Sequence, residues 1–211
     1  MTRVRRRALV GQIQNAYLGI GAIFFSSLYL ITDIMELFHG GFSTVQLVLT
    51  YVAEAAIPFL MLGLYTAQQP QIGRLGFAAA VTYAYTFVFF SGTVLYALLN
   101  QISDWETLQS AMGAWMTIHS LLMVVAGVAF GIAVARAKVL PRWTGATLII
   151  GMVLMTITTA LPEATRTLSA GVRDLAFAAM GGSLLRAAGV PEPKTQRAPR
   201  AGTGGTWGYE H

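Results

Sequence analysis

The chain of 211 residues is 55% hydrophobic and only 11% charged, with a mean hydropathy of +0.60, against about 25% charged residues in an ordinary soluble domain. That balance excludes a water-soluble globular domain and describes one integral membrane domain. The absence of cysteine excludes disulfides, thiolate metal sites and a cysteine nucleophile. The net charge of +5 sits at the chain ends and in short connecting segments, which is the distribution of membrane topology rather than of a nucleic-acid surface.

The N-terminal stretch MTRVRRRALVG has the basic flank of a signal peptide. The apolar run behind it extends from about Ile13 to Ile31 with no small-x-small cleavage signal, so it reads as a retained first span. Six spans are expected, over 11–34, 44–66, 75–99, 111–135, 144–162 and 170–188. They predict an all-α fold, a polytopic transmembrane helical bundle over residues 1–189, followed by a disordered basic tail over 190–211. In span one Gln12, Asn15, Gly19, Ala22, Ser26, Tyr29 and Asp33 recur at alternating steps of three and four, which places them on one packing stripe. Beyond it the group D-x-x-E-x-x-H, formed by Asp33, Glu36 and His39, is a candidate outer cation site; a solvated loop is the plainer alternative.

Span two, TVQLVLTYVAEAAIPFLMLGLYT, carries Glu54 near its midpoint. A helix rises about 1.5 Å per residue, so this span covers a hydrocarbon core roughly 30 Å thick. Charged residues at that depth cost about 2.5 to 3.5 kcal/mol on insertion scales. Pro58 lies four residues on and has no N–H to give to the carbonyl of Glu54. One residue therefore offers both a carboxyl and an unpaired backbone oxygen at mid-membrane, which makes it a candidate proton or solute site. Tyr51, one turn earlier, is a candidate partner, and the competing reading is a hydrogen-bonded acid that serves packing alone. Span three repeats the small and polar stripe of span one, from Ala79 to Asn100. Span four adds His119, a candidate member of the Glu54 site. Together with His39 it suggests a haem or metal pair, because imidazole suits both, although a satisfied core histidine explains it as well. Span six opens with Arg173 and Asp174 in its first turn, and these are expected at an ion-paired outer rim with Arg166 and Glu163.

If the N-terminus is cytoplasmic, 12 of the 14 basic residues fall on the cytoplasmic side and only Arg166 and Arg173 on the other. Both termini are then expected in the cytoplasm. The stretch from about Arg74 to Arg186 resembles a group of bacterial six-span membrane proteins of unknown function. The likeness lies in R-A-K-V-L-P-R-W-T-G (136–145), A-L-P (160–162) and G-G-S-L-L-R (181–186). It implies a six-helix fold in the bacterial plasma membrane and brings no catalytic residues. The arginine-rich basic set, with only Lys138 and Lys194 as lysines, agrees with a bacterial source. No P-loop, G-x-S-x-G or H-E-x-x-H motif occurs, so no enzymatic activity and no cofactor are expected. Two functions lead, ahead of a redox subunit that binds haem through His39 and His119. One is a non-catalytic accessory, sensory or scaffold subunit, packed in the lipid bilayer against itself or a membrane protein partner. The other is a small permease or proton-coupled carrier that uses Glu54.

Overall fold

The computed structural model describes residues 3–161 and 163–189. Within them the fold is all-α, with seven helices, one 3-10 turn and no strand. The helices are α1 (Arg3–His39), α2 (Thr44–Thr66), α3 (Gly73–Leu99), α4 (Trp105–Met112), α5 (Ala114–Ala137), α6 (Arg142–Ile157) and α7 (Glu163–Gly189). The tail expected over 190–211 lies outside the described residues.

Helix starts follow local chemistry. Ser43 caps α2, its Oγ accepting from the Gln46 N–H at 3.3 Å. Asp104 caps α4, accepting from the Thr107 N–H at 2.8 Å and the Ser103 and Thr107 hydroxyls at 2.9 and 3.0 Å. Those bonds, the Thr107 N–H first, hold the Asp104 carboxyl below the usual carboxylate range. α4 corrects the expectation of a plain loop here, with span four beginning at 111. The two helices are separated by Gly113 at φ 55°, a left-handed conformation that glycine adopts without steric cost.

Among the described residues four helices are long and apolar enough to cross a membrane: α1 from Leu9 to His39, α2, α3 and α5. The expected count of six is thus reached only in part. α6 has 16 residues, about 24 Å of helix against a core of roughly 30 Å, and continues into the 3-10 turn Thr158–Ala160. α7 has the length, 27 residues, but its first half holds Arg166, Arg173 and Asp174.

Consecutive long helices are neighbours, and α7 returns to pack along α1, so α1, α2, α3, α5, α6 and α7 close into a ring. Small residues allow the closest approaches. A methyl on Gly19 or on Gly181 would lie 2.7 Å from the other's carbonyl oxygen, which is where α1 meets α7. The stripe on α1 faces inward through buried Ala22 and Ser26, while Tyr17, Ile20, Phe24 and Ile31 are exposed on the other side.

The two ends of the ring differ. One, the basic end, has Arg74, Arg136, Lys138, Arg142 and Arg186 at or near its helix termini; the other, the acidic end, has Asp33, Glu36, Asp104 and Glu106. Towards the basic end the interior is solid: Met61, Leu64, Tyr83, Phe130, Met152 and Met180 are fully buried. Towards the acidic end it is hollow.

Candidate functional site

The hollow is a cavity of about 540 Å³, within the roughly 300 to 1,000 Å³ of small-molecule sites. Every wall comes from the acidic-end half of its helix: the end of α1, the start of α2, the end of α3, the start of α5, the end of α6 and the start of α7, with α4 at the mouth. The mouth is braced where the Phe42 N–H donates to the Ser103 carbonyl at 2.6 Å, tying the α1–α2 turn to the segment before α4.

Glu54 stands at the deep end and is 4% exposed. Its Oε1 accepts a hydrogen bond from the Tyr29 hydroxyl at 3.0 Å, whereas its Oε2 is buried with no partner among the described residues. The expected partner, Tyr51, does not fill this role. Tyr51 is half-buried against the core and does not line the cavity. Tyr29 reaches Glu54 because it lies on the inward stripe of α1, two turns beyond Ala22.

The same Tyr29 ring carries Arg173 on its face, with the guanidinium carbon 4.7 Å from the ring centroid and 5.9 Å from that of Phe87. Cation–π attraction of this kind strengthens where water is excluded. Arg173 is 2% exposed and Asp174 is 3% exposed. The Arg173 Nε donates to Asp174 Oδ1 at 2.9 Å, and Nη2 lies 2.8 Å from the same oxygen. Both residues are therefore inside the bundle. This corrects their placement at an outer ion-paired rim, and the reason is that α7 begins at 163 rather than 170, which carries residue 173 almost three turns into the helix. Gly151 of α6 admits this part of α7, since a methyl there would lie 2.7 Å from the Arg173 backbone nitrogen. The signal in the sequence is an R-D pair with apolar residues on both sides, and hydropathy takes it for a helix end because charge usually marks one. Arg166 lines the cavity, whereas Asp174 lines a separate void of about 10 Å³ behind Tyr29, with Ser26 and Met61.

The other candidates are dispersed. Pro58 is half-buried in a continuous α2 and does not line the cavity. His119, 5% exposed, does not join Glu54. It is wedged between α5 and α3, stacked on Phe89 with centroids 3.7 Å apart. Its Nδ1 donates to the Trp115 carbonyl at 2.8 Å and its Nε2 accepts from the Tyr85 hydroxyl at 3.3 Å, so both ring nitrogens are engaged. Asp33 and Glu36 line the cavity near its mouth, and the Gln46 amide donates to Glu36 Oε2 at 3.5 Å. His39 is exposed, its Nδ1 bonded to the Met35 carbonyl at 2.9 Å. Steps of three residues turn about 60° short of a full circle each time, so the third member of D-x-x-E-x-x-H leaves the face of the first. Among the described residues no cluster of three or more His, Asp or Glu could hold a metal ion.

Comparison with known protein families, with functionally characterised proteins and with solved structures gives no match for this chain, so its chemistry is read from its own geometry.

Proposed function

We propose that the protein is a small proton-coupled carrier of the bacterial plasma membrane, with six spans, both termini in the cytoplasm, and its cavity open to the outer face. The observation that carries this is a cavity of about 540 Å³ that enters from the acidic end and stops at Glu54, above a solid basic-end half. The basic end is the cytoplasmic one by the positive-inside bias. A ring of helices with a half-depth cavity is one of the two states that alternating access requires. In the other state the Met61, Tyr83 and Met152 layer parts and the mouth closes. Glu54 takes up a proton or a cation from the outer cavity, Tyr29 holds one of its oxygens, and Pro58 frees the Glu54 carbonyl and gives α2 a point of bending. An accessory or scaffold subunit needs no such cavity, and this is what moves that reading to second place.

The absence of native cysteine makes a direct test simple. Thr50→Cys, on the cavity wall beside Glu54, is labelled with a membrane-impermeant thiol reagent in right-side-out and inside-out vesicles. A carrier exposes this position to each face in turn. Labelling from one face only, under every pH and gradient applied, removes the carrier and restores the accessory subunit.

A further inference from the structure

Building on the carrier reading, we infer that the cavity takes a lipophilic organic cation, which displaces a proton from Glu54. Charge is the first reason. Asp33 and Glu36 on α1 and Glu54 on α2 face the cavity; beside them on α7, which packs along α1, are Arg166 near the mouth and Arg173 at the floor. Arg173 brings its own counter-charge, since its Nε and Nη2 both approach Asp174 Oδ1 and its flat face lies on the Tyr29 ring. Glu36 is engaged by the Gln46 amide, so among the described residues the carboxyls of Asp33 and Glu54 are set against Arg166 once that pair is set aside. Glu54 is the deeper of the two, and its Oε2 is buried without a partner among the described residues. A buried carboxylate requires a positive partner, and an anion entering here would meet the acid instead.

The walls supply the second reason. Phe87, Phe90 and Trp105 line the cavity with Leu47, Met116 and Val124. Hydroxyls of Thr50, Thr93, Thr117 and Ser120 interrupt that lining, and a small inorganic cation would use such oxygens while leaving the apolar wall unmatched. An organic cation keeps apolar surface against apolar surface and turns its charge to ring faces and to Glu54. The volume suits a molecule of drug-like size.

The exchange balances in charge and atoms. Glu54 in its carboxylic acid form and a free cation give the ion pair plus one proton released to the cavity. The titratable and charged groups around Glu54 are Tyr29 and Asp33 from α1 and the Arg173–Asp174 pair from α7. α3 presents Phe87 at this level, its Tyr83 phenol being bonded to Met152 Sδ at 3.9 Å.

The test uses the purified full-length protein in detergent, with tetraphenylphosphonium as cation probe and tetraphenylborate as an anion of matched shape. Isothermal titration reads affinity, and titration in weak buffer reads proton release. Tetraphenylphosphonium should bind saturably with release of about one proton per cation. Glu54→Gln should lose at least tenfold in affinity and all of the release, while Glu54→Asp retains the release. Gln keeps an acceptor for the Tyr29 hydroxyl, and if Glu54→Gln proves unstable the wild-type protein supplies the second test: its affinity for the cation should weaken as pH falls, in step with the proton release, and an affinity independent of pH overturns the inference. Saturable binding of tetraphenylborate in preference to the cation, cation binding unchanged by Glu54→Gln, or no saturable binding of either probe each overturns the inference. The carrier reading is judged apart from these, since labelling of Thr50→Cys from both faces would uphold it whatever the probe. Glu54-dependent cation binding with one-sided labelling would uphold the site and remove the carrier.

Discussion

Asp174→Ala isolates the cost of a charge stranded inside the bundle. Both members of the Arg173–Asp174 pair are almost wholly buried, with side-chain exposures of 3% and 4%. Breaking such a pair by removing one partner costs about 3 to 5 kcal/mol, because the remaining charge keeps its desolvation penalty and loses its compensation. Arg173 would still lie over Tyr29 and Phe87, a contact of about 0.5 to 2 kcal/mol, and it borders the cavity. The expected loss is therefore at the lower end, about 3 kcal/mol, or roughly two orders of magnitude in the folding equilibrium. Replacing both residues, as Arg173→Met with Asp174→Ala, removes the stranded charge along with its partner, so the double variant should lose less than Asp174→Ala alone. The assay is reversible unfolding of detergent-solubilised protein by titration with sodium dodecyl sulfate, followed by circular dichroism. A loss below about 0.5 kcal/mol for Asp174→Ala would refute the reasoning. So would a double variant whose loss equals the two single losses added together, since independent sites behave that way.

The same titration tests the α1–α7 contact. Gly181→Ala puts a methyl 2.7 Å from the Gly19 carbonyl oxygen and 2.9 Å from the Ala22 Cβ, so it should cost about 1 to 3 kcal/mol as the helices are forced apart. Gly92→Ala, with open space around it, should cost nothing. The cap on α4 should depend on pH in a stated direction. Because the Asp104 carboxyl is held below its ordinary range in the folded chain, its stabilising effect is complete above the unfolded value of about 3.9 and is lost as pH falls through the lower folded value. Hydrogen exchange of the α4 segment, corrected for intrinsic rate, should show protection falling only in that acid window; flat protection there refutes the cap. For orientation, Ser103→Cys at the acidic end should be labelled by an impermeant reagent in whole cells and Val139→Cys at the basic end should not, and the reverse pattern inverts the topology. His119→Phe should leave tetraphenylphosphonium affinity within about twofold, because His119 packs on Phe89 and Tyr85 away from the cavity, a change of less than about 0.5 kcal/mol.

Hydropathy is a property of neighbours along the chain, and whatever depends on it is legible in the amino-acid sequence alone. The limits of α2, Thr44–Thr66, coincide with the expected span, and the all-α class follows from the same apolar runs. The inward stripe of α1 follows from spacing alone, since Ala22, Ser26 and Tyr29 repeat at the period of helix packing. Glu54 also declares itself, because an acid within an apolar run must be hidden. What it touches does not. Tyr29 lies 25 residues away, and whether it or Tyr51 meets Glu54 depends on how far each helix is rotated about its axis, at about 100° per residue. α4 escapes a reading by hydropathy because its cap, Asp104 bonded to Thr107, is a signal of single residues with no long apolar run behind it. Hydropathy also sets Arg173 and Asp174 at the surface, since it treats every charge as an edge, whereas the close packing of α7 on α1 and α6 carries them inside. The cavity has no local signature at all. It exists because six helices close a ring that is filled by large side chains at one end and by too few at the other, and that depends on the distances between helices rather than on the order of residues within any of them.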